Sequence, residues 1–213
     1  MIRIAHRANT LGAIDAAASA DGVELDVRRR GGVLVLAHDE DEETGATLDE
    51  ALARAAEHGL LVQLDVKEAG FEADAVAALH AHGLQAFVSS PSLVVLRAFA
   101  AAEPSLPRAL TYPEDRHGLT RLPEPLVRAW LAVARLVLPL RLPGLLRAAG
   151  ASVATLNVHV FSRRAAIAAR RTGAEVYVWT VNDPEEVGGL AANGAAAIIS
   201  DDPRIFLGGI TTA

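Results

Sequence analysis

The feature that most constrains the fold is the regular alternation of short β-rich runs with longer alanine-rich stretches. This alternation is typical of a parallel sheet whose strands are connected by helices. Eight such runs occur, and eight is the strand number of a closed (β/α)8 barrel. We therefore predict an α/β fold, a compact TIM-type (β/α)8 barrel, with a doubly wound open sheet as the alternative. The predicted strands are residues 2–6, 23–28, 61–67, 86–89, 108–111, 152–157, 175–181 and 196–200.

One strand-like run does not fit the barrel count. Residues 33–38 follow the second predicted strand directly across Gly31 and Gly32. A connection this short suits a hairpin, whereas parallel barrel strands need a long crossover. We therefore interpret residues 33–38 as a hairpin arm beside the second strand.

The segment 113–150 is unusual within the alternation. It contains four prolines after Pro113 around a helix-like run from Leu126 to Leu138, on which Arg128 and Arg135 share one face. We interpret it as a barrel helix followed by an irregular extension, with solvated arginines. The alternative is a cationic amphipathic element, residues 126–147, that contacts a membrane or a lipid-like substrate.

Composition narrows the possible partners and location. The 213 residues suit one domain, residues 1–213, and the absence of cysteine excludes disulfides and thiolate metal ligands. A formal net charge of −6 argues against a nucleic-acid surface but not against a small phosphorylated substrate, which needs only local positive charge. The N-terminal residues do not resemble a signal peptide, and no uncharged apolar run approaches the ~20 residues that span a bilayer. We expect a cytoplasmic protein.

Acidic side chains on two neighbouring predicted strands indicate a cation site. Glu24 and Asp26 are two residues apart, so they project from one face of their strand while the apolar residues between them face the helices. Asp65 occupies the next barrel strand, about 4.8 Å away. Crowded carboxylates require a proton or a cation, and hard oxygen ligands suit Mg²⁺, Ca²⁺ or Mn²⁺. We predict one divalent cation at these three acids, although either strand alone is also compatible with solvated surface acids.

Histidines and basic residues are predicted at the same end of the barrel. His6 and Arg7 end the first strand, His38 ends the hairpin arm, and Lys67 lies one layer beyond Asp65. Two imidazoles beside a cation can serve as general base and general acid. Arg7 and Lys67 suit phosphate oxygens. The sequence therefore predicts phosphoryl chemistry, without indicating which histidine is the acid.

Six short motifs occur in the order seen in one known family. The chain resembles the glycerophosphodiester phosphodiesterase family from residue 2 to about residue 206, with 113–150 poorly covered. Each motif is short, but their common order makes the resemblance specific. The motifs are His6-Arg7, Val23-Glu24-Leu25-Asp26-Val27, His38-Asp39, Leu64-Asp65-Val66-Lys67, Val178-Trp179-Thr180-Val181-Asn182-Asp183 and Ile198-Ile199-Ser200-Asp201-Asp202-Pro203.

The resemblance implies a barrel enzyme, a phosphoric diester hydrolase that converts a glycerophosphodiester to glycerol phosphate and an alcohol. It also implies that Trp179 lines the substrate pocket, although packing beside Tyr177 would account for this tryptophan as well. The remaining implied roles are an acid/base pair (His6 and His38), metal ligands (Glu24 and Asp26) and phosphate ligands (Arg7 and Lys67).

Three departures from the family pattern concern the substrate more than the reaction. Family members usually have His-Arg-Gly, a loop and then Pro-Glu-Asn-Thr, whereas residues 6–10 read His-Arg-Ala-Asn-Thr and omit the loop with its glutamate. The third acid is usually glutamate but here is Asp65, as in the similar sphingomyelinase D enzymes. The stretch from Asp39 to the next barrel strand is too short for the insertion that many members place over the site.

Other functions remain open at this level. The apolar, arginine-bearing region 126–147 is compatible with lysophospholipase D-like action on lipid phosphodiesters. The shortened first loop is compatible with a non-catalytic phosphodiester-binding barrel. A phosphatidylinositol-specific phospholipase C-like barrel is a further alternative, because it also uses two histidines. Asp201 and Asp202 are interpreted as caps of the turn that follows the last strand.

Overall fold

The structure is a computed structural model that describes residues 1–42, 45–113 and 123–206. All eight predicted barrel strands and the predicted hairpin arm are present in it. The strands are β1 (Ile2–Ala5), β2 (Gly22–Arg30), β3 (Val33–Leu36), β4 (Leu61–Val66), β5 (Ala86–Ser90), β6 (Arg108–Tyr112), β7 (Val153–Asn157), β8 (Glu175–Trp179) and β9 (Ala197–Ser200). The helices are α1 (Leu11–Ala16), α2 (Leu48–Glu57), α3 (Glu72–His82), α4 (Leu93–Ala102), α5 (Glu124–Ala149), α6 (Arg163–Arg170) and α7 (Pro184–Ala192).

Strand pairing closes the sheet into a barrel. The parallel strands run in the order β1, β2, β4, β5, β6, β7, β8 and β9, and β1 pairs with both β2 and β9. Strand β3 pairs antiparallel with the end of β2 and stays outside the barrel. The predicted (β/α)8 barrel is confirmed, and the open-sheet alternative is wrong because a doubly wound sheet has two free edges.

Alternation along the strands separates two apolar layers. Outward residues of β2, such as Val23 and Leu25, are fully buried beneath the helices. Inside the barrel a second cluster, which includes Ile4, Phe87 and Tyr177, fills the end where the strands begin. The Phe87 and Tyr177 rings meet edge to face at 5.5 Å, a contact that contributes about 1 kcal/mol beyond area burial. The inward polar side chains of β2 and β4 therefore lie beyond this apolar layer, towards the carboxyl ends of these strands.

The start of β2 fixes the register that places the acids. Gly22 lies so close to β4 that a Cβ there would sit 2.6 Å from the carbonyl oxygen of Leu61. This approach allows Gly22 to pair with Leu61, and counting along both strands then pairs Asp26 with Asp65. The two aspartates lie side by side on neighbouring strands, as the sequence predicts.

Helix α5 differs from the sequence prediction. The helix continues eleven residues beyond Leu138, to Ala149, and passes through Pro139 and Pro143. Its length and composition alone would allow it to cross a membrane, yet Leu138, Leu142 and Leu146 pack against the barrel. The predicted irregular extension is wrong, because burial of this leucine row offsets the ~3 kcal/mol that each internal proline costs. Residues 114–122 of the unusual segment lie outside the described residues.

Candidate active site

Three carboxylates converge inside the barrel at the carboxyl ends of β2 and β4. Glu24, Asp26 and Asp65 are only 3%, 1% and 6% exposed, and one oxygen of each lies within 4.8 Å of the others. Two oxygens bound to one cation at ~2.4 Å lie up to about 4.8 Å apart. The cluster therefore has the spacing and the hard oxygen donors that a divalent cation requires, and the predicted convergence of the three acids is confirmed.

Lys67, the only lysine of the chain, contacts this cluster. Its Nζ lies 2.9 Å from Asp26 Oδ1 and also contacts Asp65 Oδ2. One ammonium group does not balance three carboxylates, so burial and the charges of Asp26 and Asp65 raise the pKa of Glu24 well above its ordinary value. A divalent cation at the three acids would supply the missing positive charge.

The pKa of Asp26 shifts in the opposite direction from that of Glu24, whereas the pKa of Lys67 is raised. Burial acts to raise the pKa of Asp26, but Lys67 and a hydrogen bond from Asn9 outweigh it, so the pKa is lowered. Burial acts to lower the pKa of Lys67, but the neighbouring carboxylates outweigh it and the pKa is raised. These shifts favour an ionised Asp26, a protonated Lys67 and, when no cation is bound, a protonated Glu24.

His6 is oriented by an acid from the opposite end of the chain. Its Nδ1 lies 2.6 Å from Asp201 Oδ1, and its Nε2 lies 3.9 Å from Glu24 Oε2. Because the carboxylate accepts, Nδ1 carries the proton and Nε2 of the neutral ring is a free base. Asn182 donates to the other oxygen of Asp201 at 2.9 Å. Burial lowers the pKa of His6, and Asp201 acts against this shift.

His38 repeats this arrangement on the other side. Its Nδ1 lies 2.9 Å from Asp39 Oδ1, and its Nε2 lies 2.9 Å from Nη2 of Arg7. The guanidinium of Arg28 donates to the backbone oxygen of His38 at 2.9 Å, which fixes the arm on β2. Both imidazoles therefore have Nδ1 on an aspartate, and Nε2 of His38 accepts from Arg7.

Arg7 occupies a strained backbone position. Its φ of 52° lies in the left-handed region, which non-glycine residues seldom adopt and which costs on the order of 1 kcal/mol or more. In this conformation the backbone N–H of Arg7 donates to Glu24 Oε2 at 2.7 Å. The turn after β1 thus directs its N–H at one acid and its guanidinium towards His38.

One pocket, with a volume of about 560 Å³, brings the predicted residues together. Trp179 forms part of its wall, with its ring centroid 6.4 Å from that of His6. Trp179 Nε1 and Gln63 Oε1 are buried and have no hydrogen-bond partner in the part of the chain that the structure describes. All eight residues that the sequence singles out line this pocket: His6, Arg7, Glu24, Asp26, His38, Asp65, Lys67 and Trp179.

Sequence reasoning missed several groups that hold the acids in place. Asn9 donates to Asp26 Oδ2 and accepts from the Asp26 backbone N–H, both at 2.9 Å. Ser89 donates to Asp65 Oδ1 at 2.7 Å and accepts from Gln63 at 2.9 Å. Inward alternation, which already places Gln63 on the same face of its strand as Asp65, is the pattern that could have identified Ser89 on β5. Asn9 carries no such periodicity.

The two acids after β9 have different roles. Asp202 accepts from the backbone N–H of Arg204 at 3.0 Å, which confirms it as a cap of the following turn. The same interpretation is wrong for Asp201, whose side chain bonds to His6. The closed barrel makes this contact possible, because β9 lies beside β1.

Comparison with known proteins gives a family and a set of similar folds. The model of the glycerophosphoryl diester phosphodiesterase family matches residues 74–205, which include Trp179 and Asp201 but not the two histidines or the three acids. No curated protein sequence matches the chain significantly.

Solved structures match almost the whole chain. A phosphodiesterase from Oleispira antarctica, in complex with the product sn-glycerol-3-phosphate, is 19% identical with a TM-score of 0.75, over 97% of this chain and 95% of its own. Glycerophosphodiester phosphodiesterases from Parabacteroides distasonis and Agrobacterium tumefaciens are 18% and 20% identical, with TM-scores of 0.72 and 0.70. Both matches cover 97% of this chain, and they cover 94% and 98% of the respective structures.

The family model and the solved structures both point to the kind of barrel that the strand pairing shows. At identities this low the solved structures establish the fold, whereas the family model spans more than half of the chain. The chain therefore belongs to the glycerophosphoryl diester phosphodiesterase family and is a phosphoric diester hydrolase.

Proposed function

We propose that this enzyme hydrolyses a glycerophosphodiester to glycerol phosphate and an alcohol, with a divalent cation at Glu24, Asp26 and Asp65. The observation that carries the proposal is the pair of imidazoles, each with Nδ1 on an aspartate, that border the same pocket as the three acids. The Oleispira antarctica phosphodiesterase, which shares the fold, binds sn-glycerol-3-phosphate as its product. That product is the one expected here.

Charged groups in the pocket divide the binding of the phosphodiester between them. Glu24, Asp26 and Asp65 would hold a divalent cation, which would supply Lewis-acid polarisation of a phosphoryl oxygen. Arg7 offers its guanidinium to a non-bridging oxygen, and because Nη2 lies 2.9 Å from His38 Nε2, a phosphate bound to Arg7 would lie beside that imidazole. Lys67 adds a second positive charge from the acid cluster. Trp179 Nε1 and Gln63 Oε1 are buried and lack partners among the described residues, so a substrate hydroxyl that reaches them would satisfy either group.

Proton transfer is the role of the two histidines. One Nε2 removes the proton from the attacking oxygen, and the other imidazole, in its protonated form, donates to the leaving alkoxide. Asp201 and Asp39 hold both rings in the orientation that presents Nε2. Since the two rings are arranged alike, the assignment of acid and base needs an experiment.

Hydrolysis of glycerophosphocholine with Mg²⁺, Ca²⁺ or Mn²⁺, and with a chelator, tests the proposal. We expect His6→Ala and His38→Ala each to lower kcat/KM by about 10²- to 10⁴-fold. His82→Ala is the matched control, because His82 also pairs with an aspartate, Asp49 at 2.8 Å, but lies outside the pocket. Activity that survives both pocket substitutions would refute the mechanism. Cation and phosphate binding without turnover would favour a non-catalytic binding barrel instead.

The leaving group can separate the two roles. A glycerol phosphodiester with a p-nitrophenolate leaving group needs no general acid, because the phenolate leaves unprotonated. The variant that lacks the acid should therefore recover activity on this substrate, whereas the variant that lacks the base should not. Equal losses for both variants on both substrates would contradict a division into one acid and one base.

A further inference from the structure

A second cavity lies beside the catalytic pocket, between the ends of β5 and β6 and helix α5. Its volume is about 430 Å³, within the range of small-molecule sites. Most of its lining is apolar or aromatic and includes Leu93, Trp130, Val137 and Leu145. The Trp130 ring stacks with that of Tyr112 at a centroid distance of 6.4 Å, which gives the cavity a firm aromatic wall. We call this cavity the α5 groove.

The α5 groove adjoins the catalytic pocket. Pro91, Thr111 and Pro113 line both cavities. A ligand whose phosphate lies at the acid cluster would pass these three residues to reach the apolar groove. A glycerol moiety or a choline group has no apolar surface that needs such a channel, whereas an acyl chain does.

The outer side of α5 extends the apolar surface beyond the groove. Val137 lines the groove and is 40% exposed, and Leu136 and Leu140 next to it are 72% and 85% exposed. Val133 and Leu126 continue the same helical face, at 59% and 56%. A solvent-facing helix surface is ordinarily polar, so packing of the barrel does not explain this face. Val137 belongs both to the groove lining and to this exposed face, so a chain that leaves the groove past Val137 would meet the face.

We propose that the α5 groove binds the single acyl chain of a lysophospholipid, which makes acylated glycerophosphodiesters substrates of this enzyme. The inference rests on the proposed function. In the reaction, water adds across the bond between phosphorus and the oxygen of the head-group alcohol. The hydroxyl goes to phosphorus and the proton to the leaving oxygen, so the products are lysophosphatidate and the free alcohol.

Chain-length dependence is the first measurement. The substrates are glycerophosphocholine and its 1-acyl esters with four, six and eight carbons, all used below their micelle concentrations. Burial of one CH₂ group contributes ~0.8 kcal/mol, about fourfold in an equilibrium constant. Because the groove is open on one side, we expect roughly half of this free energy, or about twofold in kcat/KM for each added methylene. Equal kcat/KM for glycerophosphocholine and the eight-carbon ester would overturn the inference.

Variants locate the effect in the groove. Val137→Asp puts a charge into the lining at a partly exposed site, so it should flatten the chain-length dependence and leave kcat/KM for glycerophosphocholine unchanged. Ile167→Asp is the matched control, since Ile167 on α6 is 42% exposed and lies outside the groove, and should keep the dependence. A dependence that Val137→Asp leaves intact would place the chain elsewhere.

Fluorescence gives a readout that does not need turnover. The chain has two tryptophans, so Trp179→Phe leaves Trp130 in the groove as the only one. A lysophosphatidylcholine brominated on its acyl chain should quench Trp130 saturably, and Val137→Asp should abolish the quenching. Quenching without hydrolysis of any diester would support the groove but reject the proposed function. Hydrolysis of glycerophosphocholine without quenching, or occlusion of Trp130 by a concentration-dependent dimer, would overturn the groove assignment alone.

Discussion

Replacement of Lys67 by methionine should destabilise the cation-free protein and make its stability depend strongly on a divalent cation. The ammonium group contacts Asp26 and Asp65, whose side chains are 1% and 8% exposed. Removing one partner of a buried ion pair costs about 3–5 kcal/mol, because the remaining charge stays desolvated. Since the Lys67 side chain is itself 24% exposed, we expect about 3 kcal/mol at neutral pH.

Urea unfolding with a chelator and with a saturating divalent cation measures both effects. A cation at 100 times its dissociation constant stabilises a protein by about 2.7 kcal/mol. The stabilisation should be larger in Lys67→Met than in the wild type, because the ammonium no longer repels the cation. Arg54→Met is the control. Its partner Asp15 is 45% exposed, so this surface pair should contribute little to stability and should not respond to the cation.

Two results would refute this reasoning. The first is an unchanged free energy of unfolding in the chelated Lys67→Met protein, which would mean that the three acids do not rely on the ammonium. The second is equal cation stabilisation of wild type and variant, which would place the cation away from Glu24, Asp26 and Asp65.

Three further predictions concern the same site. Because the folded-state pKa of Glu24 is raised above the ordinary 4.5, its contribution to stability is complete below about that pH and is lost as the pH rises through the folded-state pKa. Glu24→Gln should therefore stabilise the chelated protein at mildly alkaline pH and destabilise the cation-bound protein. Thermal unfolding measures both effects, and a change of stability in the same direction with and without the cation would contradict this. The neighbouring carboxylates raise the pKa of Lys67, so a divalent cation bound to them should lower this pKa and speed acylation of Lys67, the only lysine. Peptide mass spectrometry measures the labelling rate, and slower labelling with the cation would count against a cation at the acids. Asp201→Asn should lower kcat by about 10- to 100-fold through loss of the His6 orientation while cation affinity stays constant. Unchanged kcat would show that the contact is only structural.

The local pattern of the sequence predicted most of the fold and the core of the site. Alternation of short β-rich runs with helices gave the eight strands, and spacing by two residues placed Glu24 and Asp26 on one face. These features depend on neighbours in the chain, so a single sequence carries them. The same local view failed for α5, where Pro139 and Pro143 indicate a break that burial of Leu142 against the barrel overrides.

Contacts between distant parts of the chain were decided by tertiary structure alone. Asp201 meets His6 across 195 residues because closure of the barrel puts β9 beside β1. Asn9 forms hydrogen bonds with Asp26 only because the turn after β1 lies against β2. The α5 groove exists because α5 packs beside the ends of β5 and β6. The spacing of Trp130 and Val137 in the sequence does not predict that they line one cavity. Periodicity records which way a side chain points, whereas closure and register decide which side chain it meets.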